Sequence, residues 1–157
     1  MYRSVLPSPV KFLISTQLTR SWFARLFFDG IAVVRKQDAG DRHLNEAALD
    51  ECLSTLRAGG RLVVFPEGTS SLGPRHLPFK SGAAHLALAA LQAGIPLRIV
   101  PLGIHYECPW AFRGRVDVVA GEPLRTDDLD PKGSSLVVLR ELKRRIADGL
   151  ERTGINV

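Results

Sequence analysis

Length, composition and charge indicate one globular domain of ordinary make-up. The chain has 157 residues, 45% hydrophobic and 24% charged, which is enough for one buried core and too few for two domains of usual size. The net charge of +5 suits nucleic acid, anionic lipid or an anionic substrate alike. No apolar run approaches the ~20 residues that span a bilayer, so the chain is expected to be soluble or peripheral.

The N-terminal half alternates short apolar runs with helical patterns. Strands are predicted at residues 10–14, 31–34 and 61–65, the last as a compact run of the kind buried on both faces of a sheet. Helices are predicted at residues 19–28 and 44–57, and Gly59-Gly60 should end the second of them.

The C-terminal half continues the alternation. Helices are predicted at residues 81–93 and 134–152, and strands at residues 97–102 and 116–120, each strand bounded by proline or glycine. The whole pattern predicts a single α/β domain over residues 1–157, with a largely parallel mixed sheet flanked by helices.

The two cysteines do not form a disulfide framework or a metal site by spacing. Neither Cys52 nor Cys108 has a second cysteine at ligand spacing along the chain. Both are predicted to be packing residues in a reducing compartment, and no structural metal is expected.

Ligands of parallel α/β sheets bind beyond the carboxyl ends of strands, here after Val34, after Phe65 and after Leu102. The segment after Phe65 is the most informative, because Gly68 allows a tight turn and the hydroxyls that follow it could meet an anion. Glu67 could orient a hydroxyl there or pair with a base. A plain turn without a ligand is the alternative for this segment taken alone.

Two cations strengthen the ligand interpretation. Arg35 follows a predicted strand, and its planar guanidinium can bind two phosphate oxygens at once. Lys80 precedes the helix predicted at residues 81–93, where a helix N-terminus adds its own attraction for an anion.

Four ordered segments together resemble the lysophosphatidic acid and glycerol-3-phosphate acyltransferase family. They are Gly30-Ile31-Ala32-Val33-Val34-Arg35, the run from Phe65 to Ser71, Phe79-Lys80-Ser81-Gly82, and Val100-Pro101-Leu102-Gly103. The resemblance covers roughly residues 10–124, and the ordered set is specific where each segment alone is weak.

The resemblance implies transfer of a fatty acyl group from acyl-CoA or an acyl carrier protein thioester to a hydroxyl of glycerol phosphate or a lysophospholipid, with no bound cofactor. Ser70 stands where many members have an arginine, and Lys80 or Arg75 is expected to replace that cation. The acceptor-binding residues that the resemblance implies are Arg35, Glu67, Gly68, Thr69, Ser70 and Lys80.

The family's first motif, His-x-x-x-x-Asp, is missing from the sequence. Its histidine takes the proton of the attacking hydroxyl, and its aspartate fixes the imidazole tautomer. Five positions after the four histidines of this chain, His43, His76, His85 and His105, stand Ala48, Ser81, Ala90 and Trp110. The chain is therefore interpreted as truncated at its N-terminus, with a lipid-binding member that has lost the base as the alternative. Either interpretation predicts little or no turnover by this polypeptide alone, and no catalytic residue is assigned.

A lipid acceptor implies a membrane surface, and a peripheral position on the cytoplasmic face is expected. Trp22, Phe23, Phe27 and Phe28 are predicted to form an interfacial face, with packing on the sheet as the alternative. The last predicted helix carries a basic side that is either simply solvated or drawn to anionic lipid, formed by Arg140, Lys143, Arg144, Arg145 and Arg152.

Two competing functional classes remain weaker. A nucleic-acid-binding module would suit the charge, but no basic strand interleaved with aromatic residues and no recognition-helix motif is present, so no nucleic-acid partner is expected. A serine hydrolase would need Gly-x-Ser-x-Gly at a strand–helix turn, and the sequence has none.

Overall fold

The computed structural model describes residues 10–15, 30–33, 42–68, 76–108 and 113–154. The chain divides into two compact units, Met1–Gly68 and Thr69–Val157. Both contain helices and strands, and the α/β class predicted from the sequence is confirmed. The single domain predicted over residues 1–157 stays a prediction. The helix predicted at residues 19–28, with its interfacial aromatic face, lies outside the described residues.

A three-stranded parallel sheet forms the N-terminal unit. Its strands are β1 (Val10–Ser15), β2 (Gly30–Val33) and β3 (Arg61–Val63), with β1 in the centre. Ser15 pairs with Val33 and Phe12 with Val63, so all three carboxyl ends lie at one edge of the sheet. The three predicted strands are confirmed, although β2 and β3 end one and two residues earlier than predicted.

Helix α1 (Arg42–Arg57) connects β2 to β3 and packs against the sheet. Ala48 and Cys52, one helical turn apart, are buried on one face, and Lys11 of β1 forms a 2.8 Å ion pair with Glu51. The helix ends as predicted at the glycine pair. Gly59 adopts a φ of +75°, and the Gly60 N–H donates to the Thr55 carbonyl at 2.9 Å, which satisfies a carbonyl that the helix leaves unpaired.

The two cysteines have different environments. Cys52 is 2% exposed, and burial raises the pKa of its thiol to about 11, which confirms its predicted packing role. Cys108 is exposed, so the packing role predicted for it is wrong. It lies in a bend that follows the end of a strand, and such connecting segments commonly run over the protein surface.

This difference predicts that one thiol of the native chain reacts quickly with a neutral aromatic disulfide reagent at pH 8. Cys108 should be that thiol, because only a thiolate is nucleophilic and the Cys52 thiol is both protonated and buried. Cys108→Ser should remove the fast reaction, whereas Cys52→Ala should leave it unchanged. Two fast thiols per native chain, counted by absorbance, would contradict the burial of Cys52; unfolding in urea should expose both.

The C-terminal unit is built on two packed helices, α2 (Gly82–Gln92) and α3 (Ser135–Glu151). Both confirm predicted helices with small shifts at their ends. Alanines on α2 let α3 pack close to it, and the buried core consists of Ala84, Ala87, Leu88, Val138 and Leu142. Within the described part of the chain, no helix is both long enough and apolar enough to cross a membrane.

Strands β4 (Leu102–Tyr106) and β5 (Val116–Ala120) form an antiparallel ribbon in the same unit. The strand predicted at residues 97–102 is therefore wrong: β4 begins where it should have ended. Before it, Ile99 forms only an isolated bridge to Leu124. Pro96 and Pro101 flank that residue, and neither can donate an N–H to a ladder.

One face of the ribbon is apolar and exposed. Cross-strand pairs share a face, and this one carries Leu102, Ile104 and Tyr106 opposite Ala120, Val118 and Val116. The exposed fraction reaches 57% for Tyr106 and 61% for Val118. In contrast, the opposite face carries His105 and Gly103, which contact the chain after α3.

Candidate functional site

The carboxyl edge of the parallel sheet leads directly into the glutamate turn. After β3 the chain passes through Val64 and Phe65 into Pro66 and Glu67, and Gly68 completes the turn. The Gly68 N–H donates to the Phe65 carbonyl at 3.0 Å, which closes a four-residue β-turn. The turn thus lies at the edge where ligands of parallel sheets bind.

The backbone of this turn follows from its sequence. Proline fixes φ near −65° at the first central position, which suits turns of types I and II. Among the described residues Arg113 is the one non-glycine with a positive φ, so Glu67 has a negative φ and type II is excluded. Gly68 then adopts a φ of +65°, in the left-handed region that side chains disfavour. A left-handed residue after a turn gathers successive N–H groups toward one side, a form that binds anions.

The side chains of the turn have distinct environments. Phe65 is 52% exposed and leaves the sheet rather than packing in it. Glu67 is half-buried, so part of the residue is still reachable from solvent. A carboxylate is only an acceptor, and it would therefore bind a hydroxyl of a ligand rather than a phosphate.

The structure brings two of the six predicted acceptor-binding residues together, Glu67 and Gly68 in one turn. Arg35, Thr69 and Ser70 lie outside the described residues, as does Arg75. Lys80 belongs to the C-terminal unit, where it is exposed two residues before α2 begins, as predicted. Ser81 between them makes no side-chain cap, and its carbonyl accepts the His85 N–H at 2.9 Å.

The described histidine rings do not reproduce the family's catalytic arrangement. His105 Nε2 lies 2.9 Å from the Thr153 carbonyl, to which it donates, and this fixes the ring against the chain after α3. His76 Nδ1 lies 3.0 Å from the Leu77 carbonyl, and its ring stacks on Phe79 at 4.7 Å. His85 is exposed on α2. The contact of His105 with the chain after α3 gives this ring a structural role.

The segment Val100-Pro101-Leu102-Gly103, which resembles the family's fourth motif, packs against the end of α3. A Cβ on Gly103 would lie 2.5 Å from Thr153 Oγ1, and one on Gly149 would lie 2.8 Å from Pro101 Cγ. Thr153 is 4% exposed, and its hydroxyl donates to the Leu150 carbonyl at 2.6 Å. Leu102 begins a strand rather than ending one, so the strand end on which the site after Leu102 was predicted is wrong. The segment packs closely against the chain around the end of α3.

The basic side of α3 is partly neutralised by carboxylates. Arg145 donates to both Asp128 oxygens at 2.7 Å and to Glu141 at 2.7 Å, and Arg144 binds Glu141 and Asp148. The Arg144 and Arg145 guanidiniums lower the pKa of Glu141 to about 2, and Arg145 does the same for Asp128. Arg145 thereby joins α3 to Asp128, and the predicted solvated basic side is limited to the other cations of the helix.

Sequence reasoning missed Thr153 and the carboxylate partners of Arg145. Thr153 lies beyond the last predicted helix and belongs to no motif. A usable signal was Gly149, a glycine on the apolar side of a helix, which marks a close approach by another segment. The ion pair of Arg145 with Glu141 could have been predicted, since Glu141 lies four residues before it on the helix.

Several known proteins are similar in sequence to this chain. The family model described as "Acyltransferase" matches residues 1–105. Glycerol-3-phosphate O-acyltransferase 2 of Saccharomyces cerevisiae is 35% identical over 85 residues, which cover 53% of this chain and 11% of the yeast protein. 1-acyl-sn-glycerol-3-phosphate acyltransferase alpha of Mus musculus is 31% identical over 135 residues, covering 77% of this chain and 45% of the mouse protein.

Among solved structures, the 1-acyl-sn-glycerophosphate acyltransferase of Thermotoga maritima aligns with a TM-score of 0.49 and 23% identity, over 90% of this chain and 56% of that one. This likeness is too loose to support an argument about the site. The chain spans less than half the length of the yeast and mouse relatives. Because the family model covers more than half of its residues, the chain belongs to the Acyltransferase family.

Proposed function

We propose that this chain binds the glycerol phosphate group of the acceptor in a phospholipid-forming acyl transfer. The observation that carries the proposal is the turn closed by Gly68 at the carboxyl edge of the parallel sheet, within the residues matched by the family model. A left-handed glycine, a half-buried carboxylate and following hydroxyls suit a small polar ligand that carries an anion.

The acceptor is a glycerol phosphate monoester. The yeast relative is named for glycerol 3-phosphate and the mouse relative for its 1-acyl derivative, and the two molecules share this group. We assign Glu67 to a glycerol hydroxyl, because a carboxylate accepts hydrogen bonds and repels phosphate. Arg35 and Lys80 are assigned to the phosphate oxygens, with Thr69, Ser70 and the Gly68 backbone as neutral donors.

The transfer itself needs a donor and a base. The acceptor hydroxyl attacks the carbonyl carbon of a fatty acyl thioester, of coenzyme A or of an acyl carrier protein, and the thiolate leaves as the ester forms. The hydroxyl proton must pass to a base, and no histidine of this sequence is followed by an aspartate five positions later. We therefore propose that this polypeptide supplies acceptor binding and turns over little by itself.

The proposed location of the protein follows from the lipid product. An acylated glycerol phosphate resides in a bilayer, so the proposal places the protein peripherally on the cytoplasmic face of a membrane. A domain that binds lipid or phosphate without catalysis is the second candidate, and the observation that favours it is the same missing His-x-x-x-x-Asp motif.

Calorimetric titration of the whole chain with glycerol 3-phosphate tests the proposal. Binding should be lost with plain glycerol, because the phosphate supplies the charge-assisted bonds. Arg35→Gln and Glu67→Gln should each weaken binding about 10- to 100-fold, since a bond to a charged group contributes ~1.5–3 kcal/mol. Arg57→Gln and Glu107→Gln remove exposed charges of the same types and serve as matched controls.

Two results would contradict the proposal. One is equal affinity for glycerol and glycerol 3-phosphate; the other is wild-type affinity in both site variants. A thioester assay on the same sample separates the candidates, because a non-catalytic domain binds the acceptor and forms no ester. Preferential, salt-sensitive binding of DNA or RNA with no binding of glycerol 3-phosphate would instead support a nucleic-acid module.

A further inference from the structure

The first turn of α3 exposes two large aliphatic side chains. Leu136 is 75% exposed and Val137 is 63% exposed, the highest values among the exposed large hydrophobic residues described. Both face away from the core, which α3 contacts through Val138 and Leu142. A helix on the surface of a globular protein normally presents polar residues on its outer face, so this pair needs a separate explanation.

Three cations lie near this pair, and no carboxylate among the described residues pairs with them. Arg140 and Lys143 follow Leu136 by four and seven positions, which places them on the same outer face. Lys132 lies in the turn just before the helix. In the described part of the chain, none of these three forms an ion pair, whereas Arg144 and Arg145 each form ion pairs with two carboxylates. Asp130 opposes the charge in part, and it accepts the Lys132 backbone N–H at 2.9 Å.

The start of the helix is fixed to the rest of the C-terminal unit. Gln92 at the end of α2 donates to the Ser135 hydroxyl at 3.3 Å, and the Val137 N–H donates to the Ser134 carbonyl at 3.0 Å. Leu136, Val137, Arg140 and Lys143, with Lys132, therefore form a preformed surface, called here the α3 tip. A preformed surface loses little conformational freedom when it binds.

We propose that the α3 tip docks onto an anionic phospholipid surface. Two aliphatic side chains can enter the boundary between headgroups and acyl chains, and the three cations complement the negative headgroups. A lipid surface is favoured over an acidic protein because the product of the proposed reaction resides in a bilayer. The proposal rests on the proposed function, because a lipid acceptor must be reached at a bilayer.

Vesicle co-sedimentation of the whole chain tests this surface. The probe is phosphatidylcholine vesicles containing about one third phosphatidylserine, compared with phosphatidylcholine alone. The double variant Arg140→Gln/Lys143→Gln should lower the partition constant about 25-fold, since each cation near an anionic surface contributes roughly five-fold. Leu136→Gln/Val137→Gln should lower it at least as much, and added salt should weaken wild-type binding.

Arg57→Gln/Arg61→Gln is the matched control, because it removes two exposed cations from the N-terminal unit. An equal loss in this control would overturn the proposal by showing that net charge alone governs binding. Equal binding to neutral vesicles, or wild-type binding in both α3 variants, would also overturn it. So would lipid-independent dimerisation that Leu136→Gln/Val137→Gln abolishes, since the pair would then serve a second copy.

Failure here is distinguishable from failure of the proposed function. Glycerol 3-phosphate is water-soluble, and its calorimetric titration needs no bilayer. Both α3 double variants should retain wild-type affinity for it, and this also shows that they fold. Lost vesicle binding with retained glycerol 3-phosphate binding is the expected result. Retained vesicle binding with no glycerol 3-phosphate binding would support the docking surface and contradict the proposed binding of the acceptor.

Discussion

Replacing Gly103 by alanine is expected to lower the free energy of unfolding by ~1–3 kcal/mol, the usual cost of forcing an extra carbon into a packed interior. The new Cβ would lie 2.5 Å from Thr153 Oγ1 and 2.8 Å from Thr153 Cβ. Thr153 cannot move aside cheaply, because it is 4% exposed and bound to both Leu150 and His105. Relief would require breaking one of these bonds or shifting the end of α3.

Urea unfolding followed by circular dichroism measures this change. Gly82→Ala is the matched control, because nothing lies within 4 Å of a Cβ built there and the residue begins α2. The same substitution should be neutral or stabilise by up to ~1 kcal/mol at that position. A Gly103→Ala protein as stable as the wild type would show that β4 and the chain just after α3 are not in close contact.

Arg145→Met is expected to lower the melting temperature at pH 7. The melting temperature of the variant should also fall less between neutral and acidic pH than that of the wild type. Arg145 holds Asp128 in the charged form, and Arg144 together with Arg145 does so for Glu141. The pKa of each carboxyl group is lowered to about 2, from ordinary values of 3.8 and 4.5. Carboxylates with lowered pKa stabilise the fold above their unfolded values, so this contribution is complete above about pH 5. It is lost as the pH falls through 4 toward 2.

Thermal unfolding at pH 7 and pH 3 gives the comparison. The wild type should lose more of its melting temperature across this interval than Arg145→Met does, because the variant has less paired carboxylate to protonate. Arg144→Met is the matched control: its partners Glu141 and Asp148 lie on the same helix, and its side chain is 58% exposed. It should have the smaller effect, since exposed pairs contribute little. Equal effects would show that the bridge from α3 to Asp128 adds nothing.

Local sequence patterns predicted helices and turns well where neighbouring residues determine the backbone conformation. The apolar spacing over residues 44–57 and the stop at Gly59-Gly60 describe α1 to within two residues, because a left-handed glycine ends a helix with bonds of its own. The glutamate turn was equally readable, since Pro66 and Gly68 limit the backbone to few forms.

The errors arose where apolar spacing alone does not determine the structure. The apolar run at residues 97–102 resembles a strand, but its prolines remove the ladder bonds, and β4 begins only after Pro101. The exposure of Cys108 depends on the bend after β4 rather than on its own sequence. Similarly, the ion pair that joins α3 to the loop before it depends on Asp128, which lies 17 positions before Arg145. Apolar spacing cannot reveal such a bond.

The contrast between the two cysteines has a practical consequence. Cys108 is exposed two residues beyond Tyr106, at the end of the ribbon strand whose apolar face is open, whereas Cys52 is protected. The natural sequence therefore accepts a single maleimide fluorophore without any engineered substitution. Because such a dye reports the polarity around it, the emission of the labelled chain can monitor what covers this end of the ribbon during the acceptor and vesicle titrations.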